Sequence, residues 1–215
     1  MFTFISRRKA SYNEYGLSLF GTACFNIVWE KVCAFVLDNQ LDKKLSSLNV
    51  NLQKEFAIKY GANILLKQLI EKPLWIPQNK TIEHKAMRTL MPDIVSIYKK
   101  DTKKYFIIFD AKYYTIKLNE TKVENYPGVE DVVKQYLYNL AYKDFIETHN
   151  FNITRNAFIF SSEDEQIELL GTAKMELLED IGLDSILVVK MPAHKIFRMY
   201  IDSKKLDIGN QIPFF

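Results

Sequence analysis

The sequence has few of the residues that mark disulfide-rich, linker-rich or membrane-spanning proteins. It contains two cysteines, Cys24 and Cys33, with seven glycines and six prolines among 215 residues. Two cysteines nine residues apart form neither a disulfide framework nor a zinc-ligand pattern, and they suit a reducing compartment. No apolar run approaches the ~18 residues of a transmembrane helix, and the apolar start is too short for a signal peptide. We therefore expect a cytoplasmic globular protein without a membrane partner.

The charge of the chain is small overall but unevenly distributed. The formal net charge is +3, yet residues 1–112 hold 18 Lys and Arg against 10 Asp and Glu, whereas residues 113–215 hold 11 against 16. A basic first half is compatible with a partner that carries phosphates, and equally with an ordinary solvated surface. Charge alone therefore leaves both interpretations open.

Hydrophobic periodicity predicts a mixed α/β fold. Helical spacing extends over 11–39, 52–70, 129–147 and the acidic segment 163–184. Strand-like runs at 89–98 and 105–114, joined by a polar link, predict a β-hairpin. Further strands are predicted at 156–162, 185–191 and 194–204. We expect a central mixed sheet flanked by helices, in a single domain over 1–215 with a helical part over about 1–72 and a core over about 73–215.

The hairpin carries the residues with the clearest chemistry. Asp110 and Lys112 are two positions apart in a strand, so both side chains point to one face while Ala111 points to the other. Asp93 follows Pro92 at the start of the preceding strand, and antiparallel pairing brings it near Asp110. Two close carboxylates both stay ionised when a cation lies between them, and Mg²⁺ prefers such oxygen ligands. A lysine beside them can orient or help deprotonate an attacking water, or offset developing charge, so this set suits metal-assisted phosphodiester hydrolysis.

The Asp/Glu-x-Lys pattern is informative only in its context. Asp110 alone has an apolar strand around it, a Pro-Asp pair upstream and a predicted helix downstream. The strongest competitor, Asp202 with Lys204, follows an apolar segment but lacks the other two features. The pattern begins at six positions: Asp42, Glu83, Asp101, Asp110, Glu120 and Asp202.

These motifs together resemble a known nuclease superfamily. Pro92-Asp93, a hairpin and Asp110-Ala111-Lys112 resemble the PD-(D/E)xK nucleases. The segments VWEKV, RTLMPDIV, FDAKYY and YPGVEDVVKQYLYNLAY, which lie within residues 21–145, are similar to the LlaJI-type restriction endonuclease family, whose members occur beside McrB-like AAA+ GTPases. The resemblance implies a restriction-endonuclease-like core with the element order αβββαβ and extra N-terminal helices.

The resemblance also implies roles for individual residues. Asp93 and Asp110 would be metal ligands, with the backbone carbonyl of Ala111 as a third candidate. Lys112 would be the catalytic lysine. The implied cofactor is Mg²⁺, for which Mn²⁺ would substitute.

Two helix residues match positions of the superfamily less specifically. Glu30, on the first core helix, would be an additional catalytic acid and metal ligand, or else an exposed glutamate paired with a surface cation. Gln135, on the helix after the catalytic strands, would be the polar catalytic residue found there, or else part of a polar helix edge. Superfamily members often carry a tyrosine four positions after this glutamine, where this chain has Asn139 and places Tyr138 one position earlier.

The sequence thus predicts a Mg²⁺-dependent endonuclease acting on double-stranded DNA, as the nuclease subunit or domain of a restriction system. The alternatives are a nuclease of repair, recombination or transposition, and a non-catalytic nucleic-acid-binding or assembly subunit with the same fold. Lys80, Lys85 and Arg88 are candidates for contacts to the DNA backbone. No Walker A or base-reading motif is present, so we expect a second copy or a partner that recognises DNA. The family resemblance implies that this partner is an McrB-like GTPase. The net charge of −7 over 163–184 makes that segment a candidate contact surface or a solvated helix face.

Overall fold

The computed structural model describes residues 24–78 and 82–212. The part of the first predicted helix at 11–23 lies outside these residues. The helices are α1 Phe25–Val36, α2 Lys54–Tyr60, α3 Val129–Ala141, α4 Lys143–Thr148, α5 Glu176–Glu179, α6 Ala193–Ile201 and α7 Ile208–Gln211. The strands are β1 Leu74–Trp75, β2 His84–Lys85, β3 Ile94–Lys100, β4 Lys103–Lys112, β5 Lys117–Leu118, β6 Val123–Glu124, β7 Ile153–Ser162, β8 Glu168–Ala173 and β9 Ile186–Pro192.

Five strands form a mixed central sheet in the order β3-β4-β7-β9-β8. The β3–β4 and β8–β9 pairs are antiparallel, whereas β4–β7 and β7–β9 are parallel. The predicted α/β class and the helix-flanked mixed sheet are therefore confirmed. The order αβββαβ differs in detail, because only two strands of this sheet lie between α1 and α3. The chain just before β3 instead forms a separate antiparallel ribbon from β1 and β2.

The sheet separates two apolar cores. Along β4, side chains alternate between the faces as strand geometry requires. Ile107, Phe109 and Ala111 pack in the core that contains α1, α6 and α7. Phe106 and Ile108 face the opposite core, formed with α3, α4 and the segment around α2. Each large buried side chain contributes roughly 1.5–3 kcal/mol on burial, so this alternation fixes which face of β4 carries each polar residue.

The predicted hairpin is present with a tighter turn than expected. The β3–β4 pairing runs from Ile94 opposite Phe109 to Lys100 opposite Lys103. The link is therefore the two-residue turn 101–102, in which Asp101 has φ of 54°. Short hairpin turns of this kind need positive φ, which Asp tolerates better than most residues. The flanking lysines, expected in a loop, extend the ladder because their side chains reach solvent.

The C-terminal third corrects two predictions. The segment 194–204, predicted as a strand, is helix α6, which begins directly after Pro192 and packs Ile196 and Phe197 in the α1 core. The acidic segment 163–184, predicted as a helix, forms strand β8 and the single turn α5. Gly171, with φ of 153°, allows the bulge through which β8 pairs with β9. In both segments the tertiary packing overrides an ambiguous apolar pattern.

Two predicted helices are shorter than their periodicity indicates. The helix expected over 52–70 covers only α2, because Gly61, with φ of 92°, ends it in the left-handed conformation. The chain then folds back, and a 3₁₀ turn follows at Leu66–Leu69. The helix expected over 129–147 is present as α3 and α4, which meet at Tyr142. Across the part of the chain that the structure describes, no helix has the length and apolar character to cross a bilayer.

One histidine joins α4 to the segment before α2. The His149 side chain is 1% exposed and contacts the rings of Phe56 and Phe145. Its Nδ1 lies 2.8 Å from the Phe145 carbonyl oxygen, and its Nε2 accepts from the Gln53 backbone N–H at 3.3 Å. These contacts suit a neutral ring with the proton on Nδ1, and burial lowers the pKa of His149.

We expect this histidine to make stability depend on pH. Because its folded-state pKa is lowered, its stabilising contribution is present above about pH 6.5 and is lost as the pH falls through the folded value. The stability gap between wild type and His149→Gln, measured by urea unfolding, should narrow from pH 7.5 to pH 5. The gap between wild type and His84→Gln, which alters an exposed histidine, should stay constant. A pH-independent gap for His149→Gln would show that the ring is not held neutral.

Candidate active site

Two carboxylates meet where β3 begins and β4 ends. Since Ile94 pairs with Phe109, Asp93 lies opposite Asp110, on the same face of the sheet. Asp93 Oδ2 accepts a hydrogen bond of 2.9 Å from the backbone N–H of Ala111. The N–H and C=O of one strand residue point to the same side, so the Ala111 carbonyl also faces Asp93. The neighbourhood predicted from antiparallel pairing is present.

An asparagine from the turn after α1 holds the start of β3. Asn39 Nδ2 donates to the Asp93 carbonyl at 3.2 Å, and its Oδ1 accepts from the Val95 N–H at 3.1 Å. The chain reaches this position because Asp38, with φ of 53°, ends α1. Asn39 therefore fixes the backbone on both sides of Ile94, and with it the position of the Asp93 carboxylate. Sequence reasoning missed this residue, which no periodic pattern marks.

Lys112 lies between two carboxylates. Its Nζ is 2.9 Å from Asp110 Oδ1 and 3.3 Å from Asp131 Oδ2. Only 18% of the lysine side chain and 11% of the Asp110 side chain are exposed. Asp131 lies in the first turn of α3 and was not among the predicted site residues. The sequence does contain a signal for this residue, because Asp131 precedes Gln135 by four positions and residues with this spacing share one face of a helix.

The two helix residues suggested by the sequence also come to this site. Glu30 of α1 lines the same cavity as the two aspartates. Gln135 of α3 is fully buried, and its amide lies near enough to Asp110 to favour the ionised carboxyl. Among the described residues, neither end of this amide has a hydrogen-bond partner. Gln135 is therefore buried and not part of a polar helix edge, whereas Glu30 is partly exposed at the cavity.

These side chains surround an open cavity of about 340 Å³. Tyr138 closes one side, and its hydroxyl donates to the Met91 carbonyl at 3.0 Å. Tyr113 and Tyr114, each 38% exposed, lie at the rim. The competing pair Asp202 and Lys204 forms an exposed ion pair of 3.5 Å after α6. The polar residues that line the cavity include Glu30, Asp93, Asp110, Lys112 and Asp131.

The electrostatics of the cavity favour a bound cation. Burial, and then repulsion from Asp110, raise the pKa of Asp93 to about 7. Burial also raises the pKa of Asp110, against the effect of Lys112, and the pKa of Glu30, which Asp110 raises further. Burial works against the charge of Lys112, but Asp110 and Asp131 more than offset it and raise the lysine pKa.

The oxygen atoms at this site fit a magnesium ion better than a zinc ion. Asp110 Oδ1 is buried, and although Lys112 is close, no described group completes a hydrogen bond to it. Within residues 24–78 and 82–212, no three His, Cys, Asp or Glu side chains converge as a preformed metal site. Mg²⁺ needs no such cage, because it binds through one or two carboxylates and keeps several waters. Asp93, Asp110 and the Ala111 carbonyl are suitable ligands of this kind.

A paired-aspartate and lysine site on a mixed α/β sheet is the kind of site that metal-dependent phosphodiester hydrolysis uses. The LlaJI restriction endonuclease family matches residues 1–202, and the chain belongs to this family. The type II restriction enzyme BsuMI component YdjA of Bacillus subtilis (strain 168) is 30% identical over 215 residues. That alignment covers 99% of this chain and 40% of the relative, so the chain spans about two fifths of the relative's length. No solved structure matches the chain.

We expect Asp93→Asn to stabilise the metal-free protein. The raised pKa of Asp93 means that its stabilising contribution is present below about pH 3.8 and is lost as the pH rises through about 7. An amide keeps the acceptor for Ala111 and removes the repulsion. Thermal unfolding in EDTA should show a higher midpoint for the variant, with a larger rise at pH 8 than at pH 5. Each kcal/mol corresponds to about 2–4 °C in a chain of this size.

The matched control is Glu120→Gln, which removes an exposed carboxyl from the loop between β5 and β6. Its midpoint should follow that of wild type at both pH values. A lower midpoint for Asp93→Asn at pH 8 would contradict the account, because it would mean that the ionised carboxylate stabilises the metal-free fold.

Proposed function

We propose that this chain is a Mg²⁺-dependent DNA endonuclease of the PD-(D/E)xK type and the nuclease component of a restriction system. The observation that carries the proposal is the convergence of Asp93, Asp110 and Lys112 in one cavity. Membership of the LlaJI family favours restriction over repair or transposition. The aspartates and the lysine lie together in the cavity, and this argues against a purely structural subunit. Buried carboxylates that repel each other would serve no purpose in such a subunit.

In the proposed mechanism the two aspartates would hold the cation in the cavity. Asp93 is held by the Ala111 N–H and Asp110 by the strand itself, so both carboxylates are positioned before any ligand arrives. When bound, Mg²⁺ would supply positive charge at the scissile phosphate and acidify a water. Glu30, which also lines the cavity, could accept a proton or add an oxygen ligand.

Lys112 stabilises the negative charge that develops on the phosphate. Its two short contacts to carboxylates keep it as an ammonium, which favours charge stabilisation over the role of proton acceptor. Asp131 is a positioning residue in this proposal, because it holds the ammonium from the α3 side. The Gln135 side chain, which approaches Asp110 from α3, can donate to that carboxylate and favour its ionised form.

The function is tested by cleavage of plasmid DNA with Mg²⁺, using Asp110→Asn and Lys112→Ala. Asp110→Asn should abolish cleavage, because it removes a metal ligand. Lys112→Ala should lower the rate about 100- to 1000-fold, the usual loss for one charge-stabilising donor, while DNA affinity stays within about twofold. Lys112→Arg should not restore the rate, because the guanidinium is bulkier and differently shaped. EDTA should stop the wild-type reaction, and Mn²⁺ should support it.

The second Asp-x-Lys pair of the chain provides matched controls. Asp202→Asn and Lys204→Ala change the same residue types in an exposed pair outside the cavity, and both should cleave at the wild-type rate. Wild-type cleavage by Asp110→Asn would refute the site. Equal losses of DNA affinity and cleavage rate in Lys112→Ala would mean that the lysine only contacts a phosphate of the DNA.

Specific cutting requires more than this chain. The relative YdjA is described as a component of the BsuMI enzyme, and a single cavity can hydrolyse one strand at a time. We propose that a DNA-recognising partner, an McrB-like GTPase or a second copy, supplies the rest. The acidic segment 163–184 is a weaker candidate for the partner's contact surface than its net charge suggests. Several of its acids form ion pairs within the chain, namely Asp164 and Glu168 with Lys190, Glu179 with Lys174, and Asp184 with Arg155.

The isolated chain is therefore expected to cut DNA weakly and without site preference. The measurement is a digestion of plasmids of different sequence by the purified chain in Mg²⁺, with and without GTP. Weak nicking spread over many positions is the expected result. Efficient double-strand cleavage at fixed sites without nucleotide or any other protein would refute the need for a partner.

A further inference from the structure

The β1–β2 ribbon is a two-stranded element that projects from the central sheet. We use this name for residues 72–78 and 82–91, in which Leu74 pairs with Lys85 and Trp75 with His84. Two hydrogen bonds close the base of the ribbon, from the Ala86 backbone N–H to the Pro73 carbonyl and from the Thr89 hydroxyl to the Glu71 carbonyl. Neither strand pairs with the five-stranded sheet.

This ribbon exposes several large apolar side chains, which is unusual for a surface that contacts only solvent. The Trp75 side chain is 69% exposed and that of Met87 is 92% exposed. Exposed apolar patches of this kind mark interaction sites. The other large apolar residues exposed here are Leu74, Ile76, Ile82 and Met91.

Basic side chains accompany the apolar ones. Lys72, Lys85 and Arg88 are exposed, and none of them forms an ion pair with a described residue. They line a groove of about 700 Å³ along the ribbon. Lys67, at the far wall, pairs with Asp42. Cations that have no internal carboxylate partner are available to a polyanion.

The groove lies close to the candidate active site at one residue, Met91. Met91 lines the groove and precedes Asp93 by two residues. Tyr138, which lines the catalytic cavity, donates to the Met91 carbonyl. Two extended residues span at most about 7 Å, so the wall of the groove at Met91 lies close to Asp93.

We propose that the β1–β2 ribbon is a DNA-contact element that enters a groove of the duplex whose backbone lies at Asp93 and Asp110. The proposal rests on the nuclease function proposed above and assigns the substrate surface of that site. A two-stranded ribbon fits the major groove of B-DNA. Lys72, Lys85 and Arg88 contact phosphates, while Trp75 and Met87 face base and sugar edges.

The charge and the location favour DNA over a protein partner as the occupant. A protein-binding patch would need its apolar side chains but would gain little from three cations that form no ion pair with a described residue. Duplex DNA can bind both kinds of side chain, since basic side chains contact its phosphates and position the protein, while apolar or aromatic side chains contact its grooves. The alternative occupant is a protein surface, and the DNA-binding experiment with ribbon variants distinguishes it from DNA.

The test measures affinity for a fluorescent 30-base-pair duplex by anisotropy in EDTA, at several salt concentrations, so that no cleavage occurs. Lys85→Ala combined with Arg88→Ala should weaken binding at least tenfold near 0.1 M salt. The slope of log affinity against log salt should fall by about 2, one unit for each phosphate that the variant no longer neutralises. Trp75→Ala should weaken binding without changing this slope, because it removes no charge.

The matched control is Lys99→Ala combined with Lys103→Ala. These exposed lysines lie at the turn of the β3–β4 hairpin, about 20 Å along β3 from Asp93, and their removal should leave affinity and slope close to wild type. All substitutions are at exposed positions, and thermal unfolding should verify that the variants remain folded.

Three results would overturn the proposal. These are wild-type affinity in the Lys85/Arg88 variant, wild-type affinity in Trp75→Ala, and an equally weakened affinity in the Lys99/Lys103 control. Wild-type affinity in both ribbon variants would assign the ribbon to a protein partner instead. If Lys112→Ala meanwhile binds DNA and no longer cuts it, the nuclease assignment stands and only the ribbon assignment fails. A wild-type protein that neither binds nor cuts DNA would overturn both.

Discussion

The pairing register of β3 and β4 is the constraint on which the rest of the site depends. With Ile94 opposite Phe109, Asp93 and Asp110 share one face, and a slip of one residue would send one of the two carboxylates to the opposite face of the sheet. The register is fixed by the two-residue turn after Lys100, by stacking of Tyr98 on Tyr105, and by the alternation of apolar side chains between the two cores. The apolar interior of the hairpin thus determines the position of its polar end.

This register places like charges together, and the fold compensates only in part. Lys112 offsets Asp110, and the Ala111 N–H offsets Asp93, but burial still raises the pKa of both carboxyls. Functional sites often retain unfavourable arrangements of this kind, because the ligand supplies the missing interaction. From α3, Asp131 contacts the Lys112 ammonium and Gln135 favours the ionised form of Asp110, so one helix acts on both the lysine and the aspartate.

Much of this architecture follows from the sequence, and the exceptions have physical causes. The hairpin, the parallel core strands and the approach of Asp93 to Asp110 follow from strand periodicity and short-range pairing. A short apolar run does not distinguish a helix from a strand, so helix α6 was mistaken for a strand and strand β8 for part of a helix. Asn39 and Asp131 were missed because their roles arise from contacts across 54 and 19 positions, between Asn39 and Asp93 and between Lys112 and Asp131. The motif supplied by Asp93, Asp110 and Lys112 was visible because all three lie on one hairpin.

We propose that Asp93 and Asp110 together hold one divalent cation. The most direct test of this proposal is a crystal grown with Mn²⁺, in which anomalous scattering locates the ion independently of any cleavage assay. The account predicts one strong peak within coordination distance of both carboxylates, with Lys112 displaced from Asp110 toward Asp131, and no such peak in Asp110→Asn. Manganese found only at exposed acids such as those of 163–184, with Asp93 and Asp110 bearing no ion, would contradict it.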